Sequence, residues 1–156
     1  MDHTAHAQEL LASLSSLFGA EALVLDEDGL CHLQHETGFT VTLVWQGEEA
    51  GAFTISSDVA EIPAHAERQS LYARLLRLNF LLIETGGATL CIDEDERFAF
   101  LCRELPVASM NDLGFIDAVT DFMVQAAQIR GQLQQTSTAE GSSPSFDAFS
   151  QHAIRS

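Results

Sequence analysis

Residues 69–84 constrain the fold of this chain more than any other segment, because apolar side chains surround most of the helix they predict. One apolar stripe recurs at spacings of three and four residues: Leu71, Leu75, Leu78 and Leu82. A second stripe lies beside it: Tyr72, Leu76 and Ile83, widened by Phe80 and Leu81. Such a helix cannot bury both stripes against one face of a sheet. It needs a second apolar surface, and in a chain of 156 residues that surface could be another subunit.

The residues after this helix predict joints of a fold rather than a ligand site. Asn79 lies among the leucines and, if buried, needs a hydrogen-bond partner from a backbone carbonyl or from a second subunit. Gly86 and Gly87 follow the helix directly, where a left-handed cap favours glycine, whereas a phosphate loop precedes its helix. The four acids at 93–96 lack the ligand spacing of a calcium loop, so we expect a solvated hairpin turn.

The rest of the chain predicts two further helices and five short strands. A first helix covers residues 4–18, with Thr4 as its cap and Gly19 at its end, and a last helix runs from a Ser109 cap to about Leu133. The strands are expected at residues 30–34, 39–45, 52–56, 88–92 and 97–105. The predicted fold is α+β, in the order α-β-β-β-α-β-β-α, with helices packed on a twisted antiparallel sheet. The domain is expected at residues 1–133, followed by a flexible polar tail at 134–156 with isolated Phe146 and Phe149.

The charge of the chain restricts its partners. The formal net charge is −16, lysine is absent, and the first of the seven arginines is Arg68. Such a chain is repelled by nucleic acids and anionic membranes. The N-terminus lacks the features of a signal peptide, and no apolar segment is long enough for membrane insertion. The three cysteines show no CxxC spacing and are expected to be reduced thiols of a cytoplasmic protein.

The sequence offers little for catalysis or metal binding. His32 and His35 are three residues apart in or beside a strand, which places them on opposite faces. There is no GxSxG elbow, no GxxxxGK[ST] and no GxGxxG. We therefore expect no catalytic residues, no cofactor and no metal, and a binding protein rather than an enzyme.

Several motifs in this order resemble the class I type III secretion chaperones, the Tir chaperone family. The matching residues are Asn79-Phe80-Leu81, Thr85-Gly86-Gly87, the acids 93–95, Leu105-Pro106 and, in the front half, Leu25-Asp26 with Gly29. The resemblance covers residues 4–133. Two differences stand out: Glu96 occupies the end of the acidic turn, where the family often has glycine, and Ile129 occupies the region of a late aromatic residue.

The resemblance implies a cytoplasmic bacterial homodimer that needs no nucleotide. Such a chaperone binds the N-terminal segment of a secreted effector, keeps it non-globular and soluble, and assists its delivery for export; the export-apparatus ATPase is a further candidate partner. The central helix then supplies the dimer interface, for which the candidates are Leu71, Leu75, Leu78, Asn79 and Leu82. Candidate effector-binding residues come from the first helix and the second strand: Leu10, Leu14, Leu17, Phe39, Val41 and Trp45.

A second hypothesis remains open, because a fold does not determine a function. The same α+β scaffold suits a small ligand-binding or regulatory domain, or an enzyme, unrelated to secretion. That hypothesis predicts a deep pocket with convergent polar groups.

Overall fold

The computed structural model describes residues 2–19 and 23–139, with side chains up to residue 135. The elements follow one another in this order: α1 (His3–Phe18), β1 (Leu30–Gln34), β2 (Thr40–Trp45), β3 (Ala52–Glu61), α2 (Arg68–Leu78), a 3₁₀ turn (Phe80–Leu82), β4 (Thr89–Ile92), β5 (Phe98–Pro106), a second 3₁₀ turn (Val107–Ser109) and α3 (Asp112–Ala139). The predicted α+β class and the predicted order of helices and strands are confirmed.

The five strands form one antiparallel sheet in the order β1-β2-β3-β5-β4. β3 is the centre of this sheet and extends to Glu61, beyond the predicted residues 52–56. The reason is tertiary: β3 pairs with β5 from Ala52↔Pro106 to Glu61↔Phe98, with a bulge between Asp58 and Ala60. β1 and β4 are the two edge strands.

The core lies between one face of the sheet and the helices. Alternating residues of the strands point to this face and are buried, including Val41, Leu43, Phe53 and Ile55. The helices contribute fully buried side chains to the same core: Leu10, Leu14, Phe115, Phe122 and Ile129. Each large apolar side chain removed from water contributes about 1.5–3 kcal/mol to the free energy of folding. The opposite face carries small polar residues of β3 that are partly exposed.

The start of α1 differs from the prediction. Asp2, not Thr4, is the N-cap, because its Oδ1 accepts a hydrogen bond from the backbone N–H of Ala5 at 2.9 Å. Thr4 is inside the helix, and its hydroxyl donates to Glu48 Oε2, an acid 44 residues away, at 2.7 Å. The predicted end of α1 is confirmed, since Gly19 adopts a left-handed conformation with φ of 60°.

The central helix is shorter than predicted. α2 ends at Leu78 instead of continuing to residue 84, and a turn with φ of 55° at both Leu81 and Leu82 follows. Asn79 provides the physical reason: its amide donates to Leu90 O at 3.0 Å and accepts from Leu90 N at 2.8 Å. It thereby pairs with the free edge of β4 like a residue of another strand. Gly86 and Gly87, both with positive φ, close this turn rather than cap α2.

The last helix also starts and ends at other residues than predicted. Asn111 Oδ1 accepts from the backbone N–H of Gly114 at 2.8 Å and so caps α3. Ser109 belongs to the preceding 3₁₀ turn, and its hydroxyl donates to Pro106 O. α3 then continues past Leu133 to Ala139. Residues 134–139 of the predicted tail are therefore helical, and the rest of it, including Phe146 and Phe149, lies outside the described part of the chain.

Candidate partner-binding surfaces

Four large apolar side chains near α2 point into solvent. Leu76, Phe80, Leu81 and Ile83 are between 70% and 73% exposed, although the segment from Leu76 to Ile83 is among the most apolar of the chain. We call these four residues the α2 surface. Leu82 and Ile92, each 39% exposed, are the next most exposed apolar residues of this region. Large exposed apolar clusters on soluble domains typically mark surfaces that bind partners.

The backbone beneath the α2 surface is held in place by polar contacts. Gln125 of α3 donates through Nε2 to Glu84 O at 2.7 Å, and Arg74 of α2 donates to Gln132 O at 2.6 Å. The Asn79 contacts with Leu90 secure the other end of the turn. The apolar side chains therefore project from an anchored frame. The left-handed conformation of Leu81 and Leu82 costs each residue about 1–2 kcal/mol, a strain that glycine would avoid.

The residues predicted for the dimer interface lie mostly on the inner side of this helix. Leu75 is 5% exposed and belongs to the core, while Leu71 and Leu78 are partly buried against it. The side chain of Asn79 is hydrogen-bonded to the backbone of Leu90, and Leu82 is partly exposed. Their role at an interface stays a prediction, but the outward side chains of α2 belong to the second stripe. Asn79 was the signal in the sequence for which stripe of α2 faces inward, because a polar residue among leucines marks the side of a helix that faces a hydrogen-bond partner.

A second candidate surface is a groove of about 780 Å³ between α1 and residues 23–25. We call it the α1 groove. Its wall on α1 includes Leu11, Ala12 and Ser15, and Leu23 and Leu25 form the opposite wall. The Ser15 hydroxyl joins the two walls, since it accepts from Leu23 N at 2.7 Å and donates to Leu11 O at 2.9 Å. Three exposed apolar residues belong to the same two segments: Leu17, Phe18 and Val24.

The residues predicted to bind an effector are divided between the core and the surface. Leu10, Leu14, Phe39 and Val41 are at most 5% exposed and belong to the core, so they present almost no area to a partner in this conformation. Leu17 is 59% exposed, and Trp45 is half-buried against Phe53. Effector contact stays a prediction for this set. The sequence reasoning missed Leu11, Ser15 and residues 23–25, because the groove depends on how an irregular segment returns along α1.

Local hydrogen bonds alter the titration of several polar groups. Hydrogen bonds from the Thr4 hydroxyl and from the His3 and Thr4 backbone amides lower the pKa of the Glu48 carboxyl. Hydrogen bonds from the backbone amides of Phe98 and Arg97 likewise lower the pKa of Asp93 in the acidic turn. These carboxylates serve as acceptors that hold a helix start and a hairpin turn.

His32 and His35 have different neighbours. His32 contacts the Thr42 hydroxyl at 3.0 Å, whereas His35 contacts Thr37 and stacks on Phe39. Within residues 2–19 and 23–139, no three His, Cys, Asp or Glu side chains come together as a metal-binding group. Over the same part of the chain, no helix has the length and apolar character needed to cross a membrane.

Solved structures share this fold. A chain of the HopA1–SchA chaperone–effector complex is 21% identical, with a TM-score of 0.62 over 81% of this chain and 91% of that one. A chain of the ExsC–ExsE complex is 19% identical, with a TM-score of 0.67 over 86% and 96%. A chain of the complex between the Yersinia pestis type III secretion chaperone SycH and a fragment of YscM2 is 17% identical, with a TM-score of 0.58 over 78% and 98%. No curated protein matches the chain significantly.

A family model identifies the chain more directly than these distant structures. The model of the Tir chaperone protein (CesT) family matches residues 9–130, which span the sheet, α2 and most of both long helices. This match confirms the resemblance that the motifs around Asn79 and Thr85 indicated. The chain therefore belongs to the Tir chaperone protein (CesT) family.

Proposed function

We propose that this protein is a cytoplasmic chaperone that binds the N-terminal segment of a type III secretion effector, keeps it non-globular and soluble, and assists its delivery for export. The observation that carries the proposal is family membership over residues 9–130. The structures of related fold support it, because two of them are complexes of a type III secretion chaperone or of a chaperone with its effector. On this proposal the protein acts by binding rather than by catalysis.

The α1 groove and the neighbouring edge strand suit an extended client. A segment without tertiary structure exposes apolar side chains and unpaired backbone groups, which a groove and a sheet edge can accept. Gly29 O accepts from Trp45 N, and His35 N donates to Phe39 O. Because antiparallel pairing alternates along a strand, the backbone N–H and C=O groups of the odd-numbered residues of β1 point to β2. The backbone groups of His32 and Gln34 therefore point to the open edge of the sheet. The groove lies at the start of the same hairpin.

The α2 surface is proposed to bind a second copy of this chain. Its four side chains are each at least 70% exposed and stand on an anchored backbone. Covering them with an identical surface removes their apolar area from water. Leu82, the exposed residue of the predicted interface set, lies at the margin of this surface. The export-apparatus ATPase remains a further predicted partner.

Client binding is tested by copurification. The protein is co-expressed with N-terminal segments of a candidate effector encoded beside it, as wild type and as Leu17→Asp with Val24→Asp. We expect the double variant to retain at most about a tenth of the client, because a charge in an apolar contact must be desolvated. The matched control is Leu113→Asp, which changes another largely exposed leucine, on α3, and should retain the client. If the double variant retained the client fully, the α1 groove would not be the client-binding site.

The dimer is tested separately by light scattering. Phe80→Asp places a charge in the α2 surface, and we expect it to convert a dimer into a folded monomer, whereas Leu113→Asp remains dimeric. A wild-type protein that is folded and monomeric at micromolar concentration would contradict the dimer. Circular dichroism distinguishes dissociation from unfolding.

The alternative of a ligand-binding domain is supported by the volume of the α1 groove. A groove of about 780 Å³ is within the range of small-molecule sites. Thermal shifts with a metabolite library that are abolished by Ser15→Trp, combined with failure to copurify any effector segment, would favour this alternative.

A further inference from the structure

Two cysteines of neighbouring strands are in contact on the sheet face that points away from the helices. Cys91 of β4 lies opposite Phe100, and Cys102 of β5 lies opposite Thr89, so the two cysteines are diagonal neighbours. Their Sγ atoms are 3.4 Å apart. Leu90 and Leu101, which alternate with them along the strands, point to the core. The thiol pair is therefore on the opposite side of the sheet from the core and from the α1 groove.

The two thiols have different environments. Cys91 is exposed, and its Sγ also contacts Phe100 O at 3.8 Å. Cys102 is only partly exposed, and burial together with the neighbouring Cys91 thiol raises its pKa to about 12. Cys91 is thus the sulfur that a reagent in solution can reach, and Cys102 is held as a protonated thiol beside it. The third cysteine, Cys31, is buried on the helix-covered face, and burial raises its pKa also.

We propose that Cys91 and Cys102 form an oxidation site that reacts with low-molecular-weight disulfides of the glutathione type and closes into an intramolecular disulfide. Cys91 is the attacking thiol, and Cys102 is the resolving thiol. β4 is hydrogen-bonded to β5 with the thiols reduced, and the disulfide adds a reversible covalent link between the two strands in oxidising conditions. The same edge strand is held at its other side by Asn79, which pairs with the backbone of Leu90.

The reaction proceeds by two thiol–disulfide exchanges. The Cys91 thiolate attacks one sulfur of oxidised glutathione, which forms a mixed disulfide and releases one glutathione thiolate. The Cys102 thiol then loses its proton to water and attacks Cys91 Sγ, which breaks the mixed disulfide and releases the second glutathione thiolate. Two protein thiols are oxidised, and one glutathione disulfide is reduced to two thiols.

The positions of the cysteines also indicate that the disulfide is easily reduced. A disulfide requires the sulfurs to approach from 3.4 Å to about 2.05 Å. Diagonal neighbours in an antiparallel pair are more widely separated than directly opposite residues, whose spacing suits a disulfide better. The bond therefore forms with some displacement of the short strand β4. Strained and exposed disulfides have higher reduction potentials than structural ones, so the site is reversible.

The experiment uses the full chain in glutathione buffers of graded ratio, followed by alkylation and mass spectrometry of peptides. Wild type and Cys31→Ser are expected to form the Cys91–Cys102 disulfide with little glutathione adduct. Cys102→Ser should accumulate the adduct on Cys91 to a level about tenfold above wild type, because no resolving thiol removes it. Cys91→Ser should form neither product within the same time.

Three results would overturn the proposal. The first is a glutathione adduct that persists in wild type as it does in Cys102→Ser. The second is adduct formation on Cys102 in Cys91→Ser as fast as that on Cys91 in Cys102→Ser. The third is a wild-type protein that stays fully reduced in excess oxidised glutathione. Circular dichroism of each variant ensures that the thiols are compared in folded protein, and none of these results depends on client binding.

Discussion

α2 and α3 are both rich in apolar residues at helical spacing, yet they use them differently. α3 has a single stripe, Phe115–Val119–Phe122–Ala126–Ile129–Leu133, and every member of it is buried. α2 and its turn have two stripes: most of the first packs on the core, whereas Leu76, Phe80, Leu81 and Ile83 of the second point to solvent. A protomer can bury one stripe of a helix on its sheet. A second stripe on the same helix therefore indicates a surface for a partner.

The strongest test of this comparison is to remove a side chain from the buried stripe of α3. Phe122 is 1% exposed, and Phe122→Ala leaves a cavity that should lower the free energy of unfolding by about 3–5 kcal/mol. The matched control is Val124→Ala two residues away, where the side chain is 52% exposed and the expected change is below about 0.5 kcal/mol. Urea denaturation measures both. Similar losses in the two variants would mean that α3 is not a one-sided helix.

The next test addresses the residue that separates α2 from its turn. Asn79→Ala leaves the backbone N–H and C=O of Leu90 without their partner, and we expect a loss of about 1–3 kcal/mol in the free energy of unfolding. Hydrogen exchange should show faster exchange of the Leu90 amide. Asn79→Asp keeps the acceptor for Leu90 N but loses the donor to Leu90 O. Its free energy of unfolding should therefore lie between those of wild type and Asn79→Ala. Unchanged stability and exchange in Asn79→Ala would show that this pairing does not stabilise the turn.

The contrast between α2 and α3 also shows what the sequence could predict. The existence and order of the elements follow from periodicity, since helices and strands place apolar residues at spacings that no other structure satisfies. The ordered set of motifs from Leu25-Asp26 to Leu105-Pro106 indicated the family, and the family model confirms it. The left-handed end of α1 at Gly19 could also be predicted, because it depends on a single residue type.

The differences arise where a distant segment decides a local structure. α2 ends at Leu78 because Asn79 pairs with β4, and β3 continues to Glu61 because β5 pairs with it. Asp2 rather than Thr4 caps α1, and the Thr4 hydroxyl is hydrogen-bonded to the distant Glu48 instead. The division of the apolar stripes into inner and outer ones depends on the same tertiary contacts. Periodicity identifies a stripe, but it does not say which surface covers it.

A smaller effect is expected where the β2–β3 turn holds the start of α1. The hydrogen bonds from Thr4 and His3 lower the pKa of Glu48 in the folded state, so its contribution to stability is complete above the unfolded pKa. That contribution is lost as the pH falls through the folded pKa. Glu48→Gln should therefore differ most from wild type near neutral pH and converge with it in acid. Glu49→Gln, an exposed neighbour, is the control, and urea denaturation at several pH values is the measurement. Parallel curves for wild type and Glu48→Gln would contradict this role.

The smallest effect concerns Glu96, which stands where the family often has glycine. Its φ is 51°, a conformation that costs a non-glycine residue about 1–2 kcal/mol, while its side chain forms an ion pair with Arg68 at 2.7 Å. This half-exposed pair contributes only about 0.2–1 kcal/mol, because water screens it. Glu96→Gln removes the ion pair alone and should be slightly less stable than wild type. Glu96→Gly removes the ion pair and the backbone strain together, so it should be more stable than Glu96→Gln by about 1 kcal/mol in urea denaturation. If Glu96→Gly were instead the less stable of the two, the flexibility that glycine adds to the unfolded chain would outweigh the strain, and the acidic turn would tolerate glutamate without cost.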